Sequence, residues 1–558
     1  MASHSGRLRH VSSAWSQEVV GLRFRGRRRG VCARRYDGMW ERGVRGGLKI
    51  FVESDPGHSM ALRGPDDVLL NIFRHYLDIS PRFWHTLAHV CQGWRQLVFA
   101  SPLSLDLRLH CTYGTPAKRT LEYWPPLPIV IQYGGFPFLD PPSPEDDENI
   151  MAVLRLPDRI KSISLTITTS LLDKLFTIEE PFSELEELAL FSKDNVHRTL
   201  PSTLRWGPHL RSLIATRIAF PTFPQLLLHG PSQNLVSLQL HEIPSDGYFS
   251  PEDFAHALTG MTQLRSLSLH FHSLPRRSTH VSSPPPPGER AVLHTLTRLK
   301  YRGNSKYLDS LMARIDAPHL EELDITFFFQ PTLDALQLGR FIDRTETLRS
   351  YRQAHVVYFE HHISISFTRP GALTQLGLQI SCEQLDWQLS SIAQFFDQIS
   401  PILSRIEDLE INTTKASSIQ NEIEGGQWME IVRAFGCAQD FYVSGKLATE
   451  ILYALCPADG GDTTALPSLR ELHVKQQVPI DESLGDAVMS FIMQRQGSDH
   501  SVQFYFFPVL SEQDSWSGYP PLPQILDGQL LARIFTHRSL ATRSPRRSFE
   551  SPIPASEE

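Results

Sequence analysis

The stretch Leu235-Val236-Ser237-Leu238-Gln239-Leu240 places apolar residues at offsets zero, three and five, and that pattern decides the fold. On an α-helix the fifth residue lies about 140° round from the first, so the three apolar side chains share no helical face. On a strand the last two share one face at the two-residue period, and the leading Leu stands at the turn entering the strand. The pattern returns at Ile160–Leu165, Leu185–Leu190, Leu264–Leu269, Leu320–Ile325, Leu373–Leu378, Ile406–Ile411 and Leu469–Val474. Looser copies are Leu210–Ala215 and Leu296–Tyr301. Successive copies are spaced by about 24 to 33 residues where they can be followed.

A period of this length is the signature of leucine-rich repeats, with one strand and one return segment per repeat. Residues 151–508 are therefore expected to form an irregular leucine-rich-repeat-like solenoid within an α/β fold. The repeats are degenerate: their lengths vary, and the Asn or Cys that usually follows the strand is mostly missing. Each repeat would bury its apolar residues against its neighbours, leaving one long concave sheet for a partner. Candidate target-binding residues on that sheet are Glu187, Arg211, Gln239, Ser268 and Asp324. Beside them Glu186, Ser212, Ser237, Arg265, Ser266, Glu321 and Glu322 are expected to face outward. Their charges are mixed in sign, so they imply neither a basic nor an acidic ligand. Phe327-Phe328-Phe329 is assigned to strand packing.

Residues 62–102 read differently. Pro65 suits the first position of a helix, where its missing N–H costs nothing, and Asp66 and Asp67 follow where acids favour the positive helix end. Val68, Leu69, Ile72, Phe73, Tyr76 and Leu77 recur at the spacing of one apolar helix face. Ser80-Pro81 restarts the chain, and Phe83, Leu87, Val90, Trp94 and Leu97 form a second stripe ending at Ser101-Pro102. Two stripes on so small a hairpin imply packing on the following domain, or a docking face for another protein.

The run Pro65-Asp66-Asp67-Val68-Leu69-Leu70-Asn71-Ile72-Phe73, followed by Val90-Cys91-Gln92-Gly93-Trp94-Arg95-Gln96-Leu97, resembles an F-box. That motif opens with Leu-Pro-acidic, continues with Leu-x-x-Ile-Phe and closes with Val-Cys-x-x-Trp-Arg. Gly64 departs from it, standing where the family usually has Leu and removing one apolar anchor. The stretch from Trp84 to Arg108, with Leu127-Pro128-Ile129-Val130-Ile131 after it, is similar to a large set of fungal F-box proteins with long C-terminal regions. The resemblance implies a non-catalytic subunit of a ubiquitin ligase. Its contacts to a Skp-family cullin adaptor would come from Pro65, Val68, Leu69, Ile72, Phe73, Val90, Cys91 and Trp94. A target protein would bind the repeats. No nucleic acid or membrane partner is expected, and the expected location is cytoplasmic or nuclear.

The remaining chain frames these two regions. Residues 1–60 are Arg-, Gly- and Ser-rich and are read as a disordered basic segment, residues 103–150 as a connection and residues 509–558 as a disordered tail. Pro141–Glu148, Pro275–Arg290 and Ala458–Thr464 are polar breaks expected to be loops. Hydrophobic residues make up 41% of the 558, charged residues 21%, and the net charge is -7, as in an ordinary globular protein. The six cysteines, Cys32, Cys91, Cys111, Cys382, Cys437 and Cys456, form no CxxC pair, which favours free thiols. Ser444-Gly445-Lys446 only hints at a phosphate loop, since Leu447 replaces the required Ser or Thr. His270, His272, His361 and His362 have no acid or thiol spaced to complete a metal site, so no metal or other cofactor is expected.

Overall fold

The computed structural model describes residues 65–509 except 80–82, 114–115, 135–142, 176–177, 179, 193–197, 200–206, 220–231, 273–289, 329–332, 360, 370–374, 382–384, 414–424, 445–446, 457–464, 478–481 and 497–501, and also describes residues 524–525. Gly64, the basic N-terminal segment, the breaks at 275–289 and 458–464, and nearly all of the tail lie outside the described residues.

Three helices open the described chain: α1 (Asp66–Ile79), α2 (Trp84–Val90) and α3 (Gln92–Ala100). The spacing of the stripe from Phe83 to Leu97 predicts one helix. It is two, because Cys91 adopts extended backbone and caps α3, its Sγ accepting the Trp94 N–H at 3.4 Å. Leu69, Phe73 and Leu77 recur every four residues along α1 and are buried. Trp84 is buried too, and its Nε1 donates to the Arg108 carbonyl at 2.7 Å, tying the helices to the start of the sheet.

Seventeen strands make one large, mostly parallel sheet. Nine follow one another in chain and in space, each parallel to the next. They are β1 (Leu109–Thr112), β2 (Ile129–Tyr133), β3 (Ile160–Ile167), β4 (Glu187–Ser192) and β5 (Ser212–Thr216), then β6 (Ser237–Ile243), β7 (Ser266–Phe271), β8 (Arg298–Gly303) and β9 (Glu322–Phe327). Residues 103–150, expected to be a mere connection, thus supply two strands. They also supply a short helix at Ala117–Tyr123 and most of α4 (Pro144–Leu154), which begins inside the expected polar break. Ser143 and Asp146 form a reciprocal capping box there and Pro144 takes the first helical position, which outweighs the local polarity.

The sheet then doubles back. After β9 come β10 (Gln353–Tyr358), β11 (His362–Thr368) and β12 (Gln375–Ser381), but it is β12 that pairs with β9. β11 runs antiparallel between β12 and β10, and β10 pairs with β13 (Asp408–Thr413). Ala354, Val356 and Tyr358, then Ile363, Ile365 and Phe367, alternate at period two and are buried, as hairpin partners require. Parallel order resumes through β14 (Asp440–Ser444), β15 (Glu471–Gln477) and β16 (Gln503–Val509). A short β17 (Gln524–Ile525) closes the edge.

The apolar positions of the repeated pattern line up across the strands. Leu188, Leu213, Leu238, Leu267, Leu299, Leu323 and Leu376 form one in-register row, all buried. The leading residues Leu185, Leu210, Leu235, Leu264, Leu296 and Leu320 are buried as well. Each such side chain contributes on the order of 1.5–3 kcal/mol when removed from water. The alternate strand residues are only half-buried, which leaves the opposite face open.

Candidate interaction surfaces

The eight candidate docking residues separate into two groups. Leu69 is 8% exposed and Phe73 is fully buried, so both hold the helices together. Trp94 is half-buried, its ring edge-on to Phe73 at 4.7 Å, and Cys91 is committed to capping α3. Pro65 is exposed, and Val68, Ile72 and Val90 are 46%, 54% and 49% exposed. Val68 and Ile72 lie four residues apart on one side of α1, the spacing that stacks side chains along a helix.

The candidate target-binding residues fall in three settings. Glu187, Gln239 and Asp324 lie on the open sheet face. Ser268 does not offer itself to a partner: it is 5% exposed, with its Oγ 3.2 Å from both His241 and His270. Those two rings stack at 4.5 Å, and burial first, then His241, Arg302 and Lys300, lowers His270 to about 4. Arg211 is exposed but stands ahead of β5 rather than on its face, as Glu186, Arg265 and Glu321 do for their own strands. The reason is geometric. The second residue of the pattern still belongs to the entering turn, and only the third and fifth point outward from the strand.

The most chemically distinct part of the open face, on β10 and β13–β16, has little signature in the local residue pattern. Register brings Gln353, Asp408, Asp440, Glu471 and Gln503 into one row. The next row is His355, Glu410, Tyr442, His473 and Tyr505. In it Tyr442, His473 and Tyr505 stack nearly parallel, with ring centroids 4.2 and 4.7 Å apart. Glu410 bonds His355 Nδ1 and Lys475 Nζ, each at 2.8 Å, and these partners hold its carboxyl down at about 2 against the effect of burial. β14 was invisible to the pattern because its copy reads Ala438, Phe441 and Val443, with no leading Leu.

Asp440, Glu471 and His473 each bring one ligand atom within 4.8 Å of the others. A carboxylate–imidazole set of this kind suits a divalent metal ion. The same oxygens would accept from a Lys or Arg of a bound peptide. Nearer the helices, a cavity of about 460 Å³ opens at the entries of β5, β6 and β7, lined by His209, Arg211, Asn234, Val236, Gln263 and Arg265. Among the described residues no helix is long and apolar enough to cross a membrane.

Compared with protein-family models and with curated proteins, the chain matches none.

Proposed function

We propose that this chain is the substrate-recognition adaptor of a Skp–cullin–F-box ubiquitin ligase. It docks to the Skp-family adaptor through residues 62–102 and holds a target protein on a leucine-rich-repeat-like sheet. The observation that carries the reading is the division of labour within the F-box-like stretch. Leu69 and Phe73 make the core, while Val68, Ile72 and Val90 leave apolar surface in water. Val68 and Ile72, one helical turn apart on α1, place their exposed apolar side chains side by side, as a docking surface requires. The chain itself performs no chemistry in this reading: it raises the effective concentration of target near the conjugating enzyme.

A second reading has one observation behind it. Trp84 bonds Arg108 and packs edge-on against Trp124 at 4.9 Å, so the helices also brace the first edge of the sheet. A repeat scaffold outside any ligase would need nothing more from them.

Co-purification with the host's Skp-family adaptor separates the two. Wild type should retain the adaptor, and a Val68→Asp, Ile72→Asp double variant should lose it while staying folded. Failure of folded wild type to bind the adaptor would leave the scaffold reading.

A further inference from the structure

The residues that enter successive strands form a continuous row. The backbone N–H groups of Glu186, Arg211, Val236, Arg265 and Thr297 donate in turn to the carbonyls of Lys161, Glu186, Arg211, Val236 and Arg265, at 2.7 to 2.9 Å. Neighbouring side chains in this row are therefore one strand spacing, about 4.8 Å, apart. Their charges run positive at Lys161, negative at Glu186 and positive at Arg211, then absent at Val236 and positive again at Arg265. Lys161 and Glu186 pair at 3.2 Å. The alternation fails at Val236, and neither flanking arginine forms a side-chain hydrogen bond or ion pair with a described residue.

The cavity lies where the negative charge is missing. Among the described residues, six line it and occupy two equivalent positions in three successive repeats: His209 with Arg211, Asn234 with Val236, Gln263 with Arg265. None is acidic, and all but Val236 carry a nitrogen able to donate or accept. Asn234 is held in place, its Nδ2 donating to the Pro208 carbonyl at 2.8 Å.

We infer that this cavity binds a phosphate-type dianion. Arg211 and Arg265 stand two strands apart, about 10 Å, so both guanidinium groups reach a group seated between them. A guanidinium stays charged at any working pH and its planar fork matches an oxyanion in bidentate fashion. A carboxylate would balance one arginine, whereas a dianion balances both. The volume of about 460 Å³ exceeds one phosphate and leaves room for the molecule that carries it. That carrier is either a free phosphate ester or a phosphorylated protein segment crossing the open strand entries. The site belongs to the chain alone and does not rest on adaptor docking.

Isothermal titration calorimetry of the full chain tests this with inorganic phosphate, a short phosphoserine peptide and the same peptide unphosphorylated. Both phosphorylated probes should bind, more weakly as salt rises. Arg211→Gln and Arg265→Gln should each weaken binding roughly tenfold or more, since bonds to charged groups carry that much. Val236→Glu should abolish binding and raise Tm, because it supplies the missing carboxylate from within. A peptide that binds more tightly than phosphate identifies a protein segment as the carrier, and equal binding identifies a free anion. The inference is overturned if wild type binds neither at millimolar concentration, if the unphosphorylated peptide binds equally, or if an Arg211→Gln, Arg265→Gln double variant still binds.

Discussion

Asp440 and Glu471 stand opposite each other, in register on the neighbouring parallel strands β14 and β15. Asp408 flanks Asp440 on its other side. Like charges so placed oppose pairing. Burial first, then Glu471 and Asp408, pushes the Asp440 carboxyl up to about 6. A raised carboxyl pKa means the folded state holds the proton longer than the unfolded chain. The penalty is therefore absent below the ordinary value of 3.8, grows with pH and is complete above about 6. Asp440→Asn should stabilise the fold by about 1 kcal/mol above that upper value, after allowance for solvent screening, and by nothing below the lower one. Urea unfolding in the two pH ranges measures this, and an equal effect in both would refute it.

Glu410 has the opposite sign. Its carboxyl is held at about 2 by His355 and Lys475, below the ordinary 4.5. Its contribution is present in full above 4.5 and is lost as pH falls through about 2. Glu410→Gln should cost about 1–2 kcal/mol at neutral pH, as charge-assisted bonds in a half-buried site do. Chemical denaturation should show the wild-type and variant stabilities converging across that acidic window.

Phe73 and Ile72 are neighbours with separate duties, one fully buried and one 54% exposed. Phe73→Ala should cost about 3–5 kcal/mol and remove the partner of the Trp94 ring. Ile72→Asp should change stability by no more than about 0.5 kcal/mol, as surface substitutions do. Thermal melts of the two variants should differ widely. Similar losses of Tm would place Ile72 in the core and remove it from the docking surface.

Gln398 serves two backbone groups at once. Its Oε1 accepts the Ala335 N–H at 2.5 Å and its Nε2 donates to the Leu333 carbonyl at 2.7 Å. Leu333 and Ala335 are each 1% exposed, so water does not readily replace the amide. Gln398→Ala should therefore cost about 1–3 kcal/mol in urea unfolding. Gln398→Glu, which sets a carboxylate oxygen against the Leu333 carbonyl where a donor stood, should cost at least as much.

Much of the sheet was legible because its signal is local. Leu235, Leu238 and Leu240 carry strand entry and strand face within six residues, and the same is true at Leu264–Leu269 and Leu320–Ile325. The α1 stripe was legible for the same reason: Val68, Leu69, Ile72, Phe73, Tyr76 and Leu77 announce an apolar helical side by spacing alone. The strand β10 and the reversed strand β11 were not foreseen, although Ile363, Ile365 and Phe367 alternate plainly, whereas β12 falls on the copy read at Leu373–Leu378. Alternation marks a strand without naming its neighbour, and it was the pairing of β12 with β9 that broke the expected order.

By itself, then, the sequence determined where the strands that carry the repeated pattern begin, which apolar side chains they bury and which helical stretch resembles an F-box. Those properties follow from periods of two and 3.6 residues and need no distant partner. Only the tertiary structure decided which of Val68, Leu69, Ile72 and Phe73 face water, since a stripe wider than its contact leaves part of itself outside. It alone joined Asp408, Asp440 and Glu471 into one acidic row, and set Arg211 and Arg265 either side of Val236. Residues 25 to 32 apart in the chain become neighbours one strand spacing away through pairing register, which no local spacing records.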